Sequence, residues 1–389
     1  MNINIKMIFN ISKNSKKNLY FVMRYGKIFQ IVIYEENEME NMNRDTAKIQ
    51  KLLDKGGKIK IPGGVYMINR PLVIHDNTHL ILEEGAVFRL CDNANCQIMI
   101  NEGLARKYNK NITIEGGIWD GNNQNQTRQV QDFANPLTAY DPDFYYGIML
   151  RFVGMENFTM KNLTLKDPES YPVQISMVRN FTVENIIFDY NMLRTNMDGI
   201  HINGPAEGGR ICNIFGSTND DMVALNCDDC YETEITHGPI NNIYVANLRA
   251  DNGYTAVRLL SCGSPLSNVT IKNVYGKYRY NAVSFTHHRV HEGECSLDNV
   301  HIENLEVSKV DAANDYAVIW FAEGTHTGNV TLKNIRRVES IPSSANTVKI
   351  DKNTTVESLT LDNVTQEFTN GEAMELFKNS GTVNKLIIR

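Results

Sequence analysis

Two short acidic runs carry the residue types that proton-transfer chemistry requires. They are Asn196-Met197-Asp198-Gly199-Ile200-His201-Ile202-Asn203 and Asn219-Asp220-Asp221-Met222-Val223-Ala224-Leu225-Asn226. Laid one on the other they match position by position: Asp198 on Asp221, Ile200 on Val223, His201 on Ala224, Ile202 on Leu225 and Asn203 on Asn226. Three carboxylates brought together repel one another, and at least one then holds its proton above the ordinary range. An acid that keeps its proton can give it to a leaving oxygen while an ionised neighbour activates water. Along an extended groove, that is the chemistry of splitting a glycosidic bond.

Segments that match in this way read as neighbouring rungs of a repeat. The phrase recurs as Asn-Ile-Thr-Ile-Glu-Gly at 111, Asn-Phe-Thr-Met-Lys-Asn at 157, Asn-Phe-Thr-Val-Glu-Asn at 180, Asn-Val-Thr-Ile-Lys-Asn at 268, Asn-Val-His-Ile-Glu-Asn at 299 and Asn-Val-Thr-Leu-Lys-Asn at 329. Its closing asparagine returns at 162, 185, 213, 247, 273, 304, 334 and 363, in steps of 23 to 34 residues. Each step holds short alternating β-branched strands and no helical stretch long enough for a crossover. The chain is therefore a solenoid of β coils. Equivalent residues stack in columns at roughly 4.8 Å spacing. An asparagine column can bond amide to amide and tolerates the left-handed turn, so the many Asn-x-Ser/Thr triplets read as repeat grammar.

Alternation assigns the faces. With Ile200 and Ile202 inward, one outward column reads Met149, Gln174, His201, Ala224, Arg258, Ser284. The column three residues earlier reads Tyr146, Tyr171, Asp198, Asp221, Thr255, Asn281. Strict alternation sends Asp198 and Asp221 inward, which is costly for unpaired carboxylates. The expectation is that they lie exposed where the chain enters the strand, with Asp220 one step aside. Tyr316 and Trp320, one coil further on, read as core aromatics, with sugar stacking as the other reading.

The 389 residues are 42% apolar and 22% charged, an ordinary globular composition, with a formal charge of -6 that disfavours nucleic acid or an anionic membrane as partner. Seven cysteines, an odd number, fit reduced thiols. Cys227-Asp228-Asp229-Cys230 has metal-ligand spacing but no second pair to complete four ligands, so no metal or other cofactor is assigned. Residues 1–42 form an extension of uncertain order, rich in Lys and Asn, and residues 43–389 form the solenoid. No clean export signal or membrane span is visible, so the expected location is cytoplasmic, with secretion as the alternative. Asp45-Thr46 is expected to start a short helix carrying Ile49, Leu52 and Leu53, ended by Gly56-Gly57, that covers the open end of the first coil.

These motifs resemble glycoside hydrolase family 28, the polygalacturonases. The runs around Asp198 and Asp221 are similar to its Asn-Thr-Asp and Gly-Asp-Asp motifs. Ile61-Pro62-Gly63-Gly64-Val65-Tyr66, Gly117-Ile118-Trp119-Asp120-Gly121 and Tyr171-Pro172-Val173-Gln174 match others. The resemblance implies an all-β fold, a single-stranded right-handed parallel β-helix of the pectin lyase-like class. It also implies a metal-independent inverting hydrolase, with Asp220 as general acid and Asp198 with Asp221 holding the attacking water.

The family's Gly-His-Gly, due at Thr255, is missing. Its Arg-Ile-Lys, due at Ser284-Phe285-Thr286, is also missing; Arg258 and His287-His288-Arg289 are the nearby basic residues. The candidate substrate contacts are therefore Gln174, His201, Arg258, His287 and Arg289. The expected partner is a pectin-related or other uronic-acid-containing glycan, of changed sugar, in a chain of unknown oligomeric state. A polysaccharide lyase and a non-catalytic glycan-binding β-helix are the rival readings.

Overall fold

A computed structural model describes residues 17–24, 27–104, 107–127, 146–229, 237–287, 294–310, 315–370, 372 and 374–389. Successive coils pair in parallel, and the registers fall where the repeated phrase puts them. Val245 meets Ile271, Ile271 meets Ile302, Ile302 meets Leu332 and Leu332 meets Leu361. All five are buried, whereas the residues just before them, Tyr244, Thr270, His301, Thr331 and Thr360, are partly exposed. Each such side chain contributes about 1.5–3 kcal/mol by leaving water, so a ladder of them holds coil to coil. The result is a right-handed parallel β-helix, running from Gly57–Ile61 to Thr382–Ile388.

The asparagine column is present as expected. Asn213 donates to Asn185, Asn247 to Asn213 and Asn273 to Asn247, each at 2.8 Å. The row continues through Asn304, Asn334 and Asn363. All of these residues have φ between 53° and 60°, where asparagine is tolerated. The column satisfies side-chain amides from coil to coil and fixes coil register.

The cap differs from the expected one. The helix is Glu36–Leu53, 18 residues long, and an antiparallel hairpin of Lys17–Arg24 and Lys27–Glu35 precedes it. Asp45 and Thr46 lie inside the helix, so they do not start it. They bond the first coil: Asp45 Oδ2 accepts from Met67 N at 3.1 Å and Thr46 Oγ1 accepts from Asn69 N at 3.1 Å. Gln50 makes the same substitution at Val73, accepting its N–H at 2.8 Å and donating to its carbonyl at 3.0 Å. Ile49 and Leu53 are buried. The helix thus supplies, side chain by side chain, what a preceding coil would have given the exposed edge. No described helix is long and apolar enough to cross a membrane.

Candidate active site

The acidic runs stack as the motif alignment requires. Ile200 pairs with Val223 and His201 with Ala224; Ala224 then pairs with Arg258, Arg258 with Ser284, and Ser284 with Trp320. Gly199 N donates to Asp221 O at 2.8 Å and Asn219 N to Met197 O at 3.0 Å, which locks the two acidic turns together. Gly199 is required by close approach, since a Cβ there would meet Met222 O at 2.2 Å and Phe188 Cζ at 2.3 Å.

One register in the outward column is corrected. Arg151, not Met149, lies beside Gln174. The apolar run Gly147-Ile148-Met149-Leu150 tolerates a slip of two residues without changing which side faces in, so alternation alone could not fix it.

Asp198 and Asp221 are not exposed, contrary to expectation; they are 4% and 2% accessible. What compensates them is a pair of cations. Arg258 Nε stands 3.0 Å from Asp221 Oδ2, and His201 Nδ1 stands 3.0 Å from Asp198 Oδ2. The other imidazole nitrogen meets Asp229 Oδ2 at 2.7 Å. Asn226 joins the two pairs, donating to Asp229 Oδ2 at 3.1 Å and accepting from Arg258 Nε at 3.2 Å. Tyr171 covers the imidazole, its ring stacked 4.3 Å from that of His201. Burial works against a charged imidazole, but the hydrogen bonds to Asp198 and Asp229 push His201 up to about 9.

Asp220 occupies a different environment. It is half-buried, and its carboxylate accepts one bond from Asn196 Nδ2 at 3.1 Å. Burial first, then the charges of Asp198 and Asp221, push it up to about 8; Arg258 and Asn196 oppose the rise. Burial also raises buried Asp221, against Arg258, to about 6. The turn bearing Asp220 is held from two sides. Arg279 Nη2 donates to Thr218 O at 2.8 Å and to Asn219 Oδ1 at 2.9 Å, while Asn219 Nδ2 donates to Arg194 O at 2.6 Å. This arrangement can give a proton at Asp220 and hold an ionised carboxylate one turn away.

The other expected contacts are placed as follows. Gln174 is buried, in register with His201, and donates to Asn203 Oδ1 at 2.9 Å. His201 is buried with both nitrogens engaged, so it supports Asp198 and has no ring nitrogen left for a sugar. Arg258 is committed to Asp221 and Asn226. His287 is half-buried at the end of Val283–Thr286, whereas His288 and Arg289 lie outside the described residues. Cys230 does too; Cys227 is buried, and neighbouring Asp228 accepts from Cys262 N at 2.9 Å and Ser264 N at 2.7 Å. Among the described residues no group of three or more His, Cys, Asp or Glu is placed to hold a metal ion. Tyr316 and Trp320 are not core: Tyr316 is 39% accessible and Trp320 half-buried.

Sequence reasoning missed Asp229, Asn226 and Arg279 as parts of the site. Asn226 was visible as the partner of Asn203 in the aligned runs. Asp229 lies beyond its strand and Arg279 two coils away, where periodicity carries no signal.

A parallel β-helix with three carboxylates on adjoining turns of one face places the molecule among acidic-cleft β-solenoids. The chain belongs to the glycosyl hydrolases family 28, whose model matches residues 74–383. It is similar to a polygalacturonase of Gossypium hirsutum, with 24% identity over 244 residues, which is 59% of this chain and 55% of that protein. The chain thus spans about half the length of the curated relatives it matches. Among solved structures it resembles the family 28 exopolygalacturonase of Yersinia enterocolitica, with a TM-score of 0.59, 14% identity, and 96% and 82% of the two chains covered. It also resembles the surface adhesin PfbA of Streptococcus pneumoniae, with a TM-score of 0.53, 15% identity, and 88% and 96% covered. At such identities the structural likeness speaks for the fold alone.

Proposed function

We propose that this chain hydrolyses O-glycosidic bonds in a pectin-related or other uronic-acid-containing polysaccharide, by inversion. Asp220 is the general acid, and Asp198 and Asp221 hold and deprotonate the attacking water. Family membership and the polygalacturonase names of its relatives support the reaction class and the substrate. The observation that carries the assignment is the asymmetry of the carboxylates. Asp220 is only half-buried and pushed up to about 8, whereas Asp221 is paired with Arg258 and Asp198 with His201. An acid and a base of unequal pKa side by side is what bond cleavage by water needs.

The same geometry favours hydrolysis over elimination. A lyase needs a neutral base, and Arg258, against a desolvation that opposes its charge, is held above its ordinary value by Asp221 first and then by Asp229, Asp220 and Asp198. It keeps its proton. His201 and Asp229 act here as positioning residues for Asp198. The test is the appearance of reducing ends, without an unsaturated product, from acidic glycans incubated with the native chain and with Asp220→Asn.

A further inference from the structure

We propose that Tyr254, Tyr280, Tyr316 and Trp320 form a sugar-binding row for an uncharged pyranose, so that the glycan cut at Asp220 carries a neutral residue on the C-terminal side of the acid. The proposal rests on the hydrolytic reading above and names part of its substrate.

The row starts at the acid. Asp221 pairs with Thr255, Val257 with Val283 and Ser284 with Trp320, which sets Asp220, Tyr254, Tyr280 and Tyr316 in one column. Columns rise by roughly 4.8 Å per coil, close to the length of a pyranose with its bridging oxygen, so a glycan lying along the solenoid meets the rings in turn. The rings of Tyr254 and Tyr280 stack at 3.8 Å, those of Tyr280 and Tyr316 lie 4.8 Å apart, and Trp320 stands edge-on to Tyr316 at 5.5 Å. None is buried in the solenoid interior; Tyr254, Tyr280 and Trp320 are half-buried and Tyr316 is exposed. Mutual stacking turns ring edges outward, and the Tyr316–Trp320 corner offers an aromatic surface for the C–H face of a sugar.

The row is held in place from beneath. Lys309 is buried, and its Nζ donates to the main-chain oxygens of Arg279 at 3.0 Å, of Tyr280, and of Tyr316 at 3.0 Å. Its own N–H is fixed by Glu339 at 2.9 Å. A buried ammonium thus pins the two turns that present Tyr280 and Tyr316, so these rings are ordered before any ligand arrives.

Charge decides the kind of sugar. The described acidic groups along the row are Asp220 at its start, exposed Asp315 beside Tyr316, and Asp351 at its end, which accepts from Trp320 Nε1 at 2.7 Å. The described cations near the row are engaged: Arg258 with Asp221, Lys349 with Asp351 at 3.0 Å, Lys309 with carbonyls, and Arg279 with the Asp220 turn, its guanidinium 5.6 Å from the centre of the Tyr254 ring at the acid end. At the Tyr316–Trp320 corner a uronate would face Asp315 and Asp351, whereas a neutral pyranose meets ring surfaces and hydroxyls.

Fluorescence tests this directly, because the chain has two tryptophans and Trp119 is fully buried, 5.0 Å from the Phe88 ring. A sugar-dependent change in emission therefore reports Trp320. Asp220→Asn is titrated with galactotriose, mannotriose, xylotriose and trigalacturonate. The expected result is a saturable response to at least one neutral trisaccharide, tighter than to trigalacturonate. Adding Tyr316→Ala should weaken it about tenfold, and adding Trp320→Phe should remove the signal. Tighter binding of trigalacturonate than of every neutral probe, or no saturable response to any neutral probe, overturns the proposal. Hydrolysis by the native chain with Trp320 silent would sink the row and leave the catalytic reading intact. A Trp320 response to a neutral probe without hydrolysis would support the row and remove that reading.

Discussion

His201 stands 3.0 Å from Asp198 through Nδ1, three residues along the same chain, and so orients a carboxylate that burial would otherwise make costly. Asp229 holds the imidazole from the far side at 2.7 Å. Removing either support should disturb alignment and leave substrate binding nearly as it was. His201→Gln and Asp229→Asn are each expected to lower kcat about a hundredfold with KM changed little, because small misplacements of a reacting group cost that much. Steady-state kinetics on a released-sugar assay, with circular dichroism to verify folding, measure it. A rise in KM with kcat unchanged would instead make His201 a substrate contact.

Activity should follow a bell-shaped curve in pH. Asp220 must carry its proton, so kcat/KM falls as pH rises through about 8. Asp221 must be ionised, so kcat/KM falls as pH drops through about 6. A rate profile on one substrate between pH 4 and 10 checks both limbs, and Asp220→Asn should abolish the curve, not shift it.

The raised acid also costs stability. Its folded-state pKa is about 8 against an ordinary 3.8, so its contribution to stability is full below about 4 and is lost as pH rises through about 8. Asp220→Asn removes that loss. Near pH 7 the variant should be more stable than the native chain, and the difference should vanish near pH 4, as read from urea midpoints at the two values.

Most of the architecture was legible in the sequence because a β-solenoid repeats one physical solution. Inward β-branched residues and left-handed asparagines recur where each coil must turn, and Asp198 falls on Asp221 by simple alignment. What was not legible is compensation across space. The burial of Asp198 and Asp221 could not be foreseen, since alternation marked inward carboxylates as costly and gave no sign that His201, Arg258 and Asp229 would answer them. Likewise Asp45 and Thr46 read as the start of a helix, yet they serve as hydrogen-bonding stand-ins for a missing coil at Met67 and Asn69.

Arg258, partly accessible, pairs with buried Asp221, so breaking one side strands the other. Arg258→Leu is expected to destabilise the fold by about 3–5 kcal/mol. Asp221→Asn in the same chain should recover a good part of that loss, although neither variant should be active. Chemical denaturation of the single and double variants measures the coupling; equal loss in both would show that Arg258 acts by packing and not by charge.

Hydrolysis with Asp220 as the acid is tested by the release of reducing ends from homogalacturonan and branched pectic glycans by the native chain and by Asp220→Asn. Absorbance of any unsaturated product is followed in the same samples. The expected result is release by the native chain on at least one of these glycans, its loss in Asp220→Asn with the fold and glycan binding retained, and no unsaturated product. Equal release by Asp220→Asn, or an unsaturated product from the native chain, would contradict it.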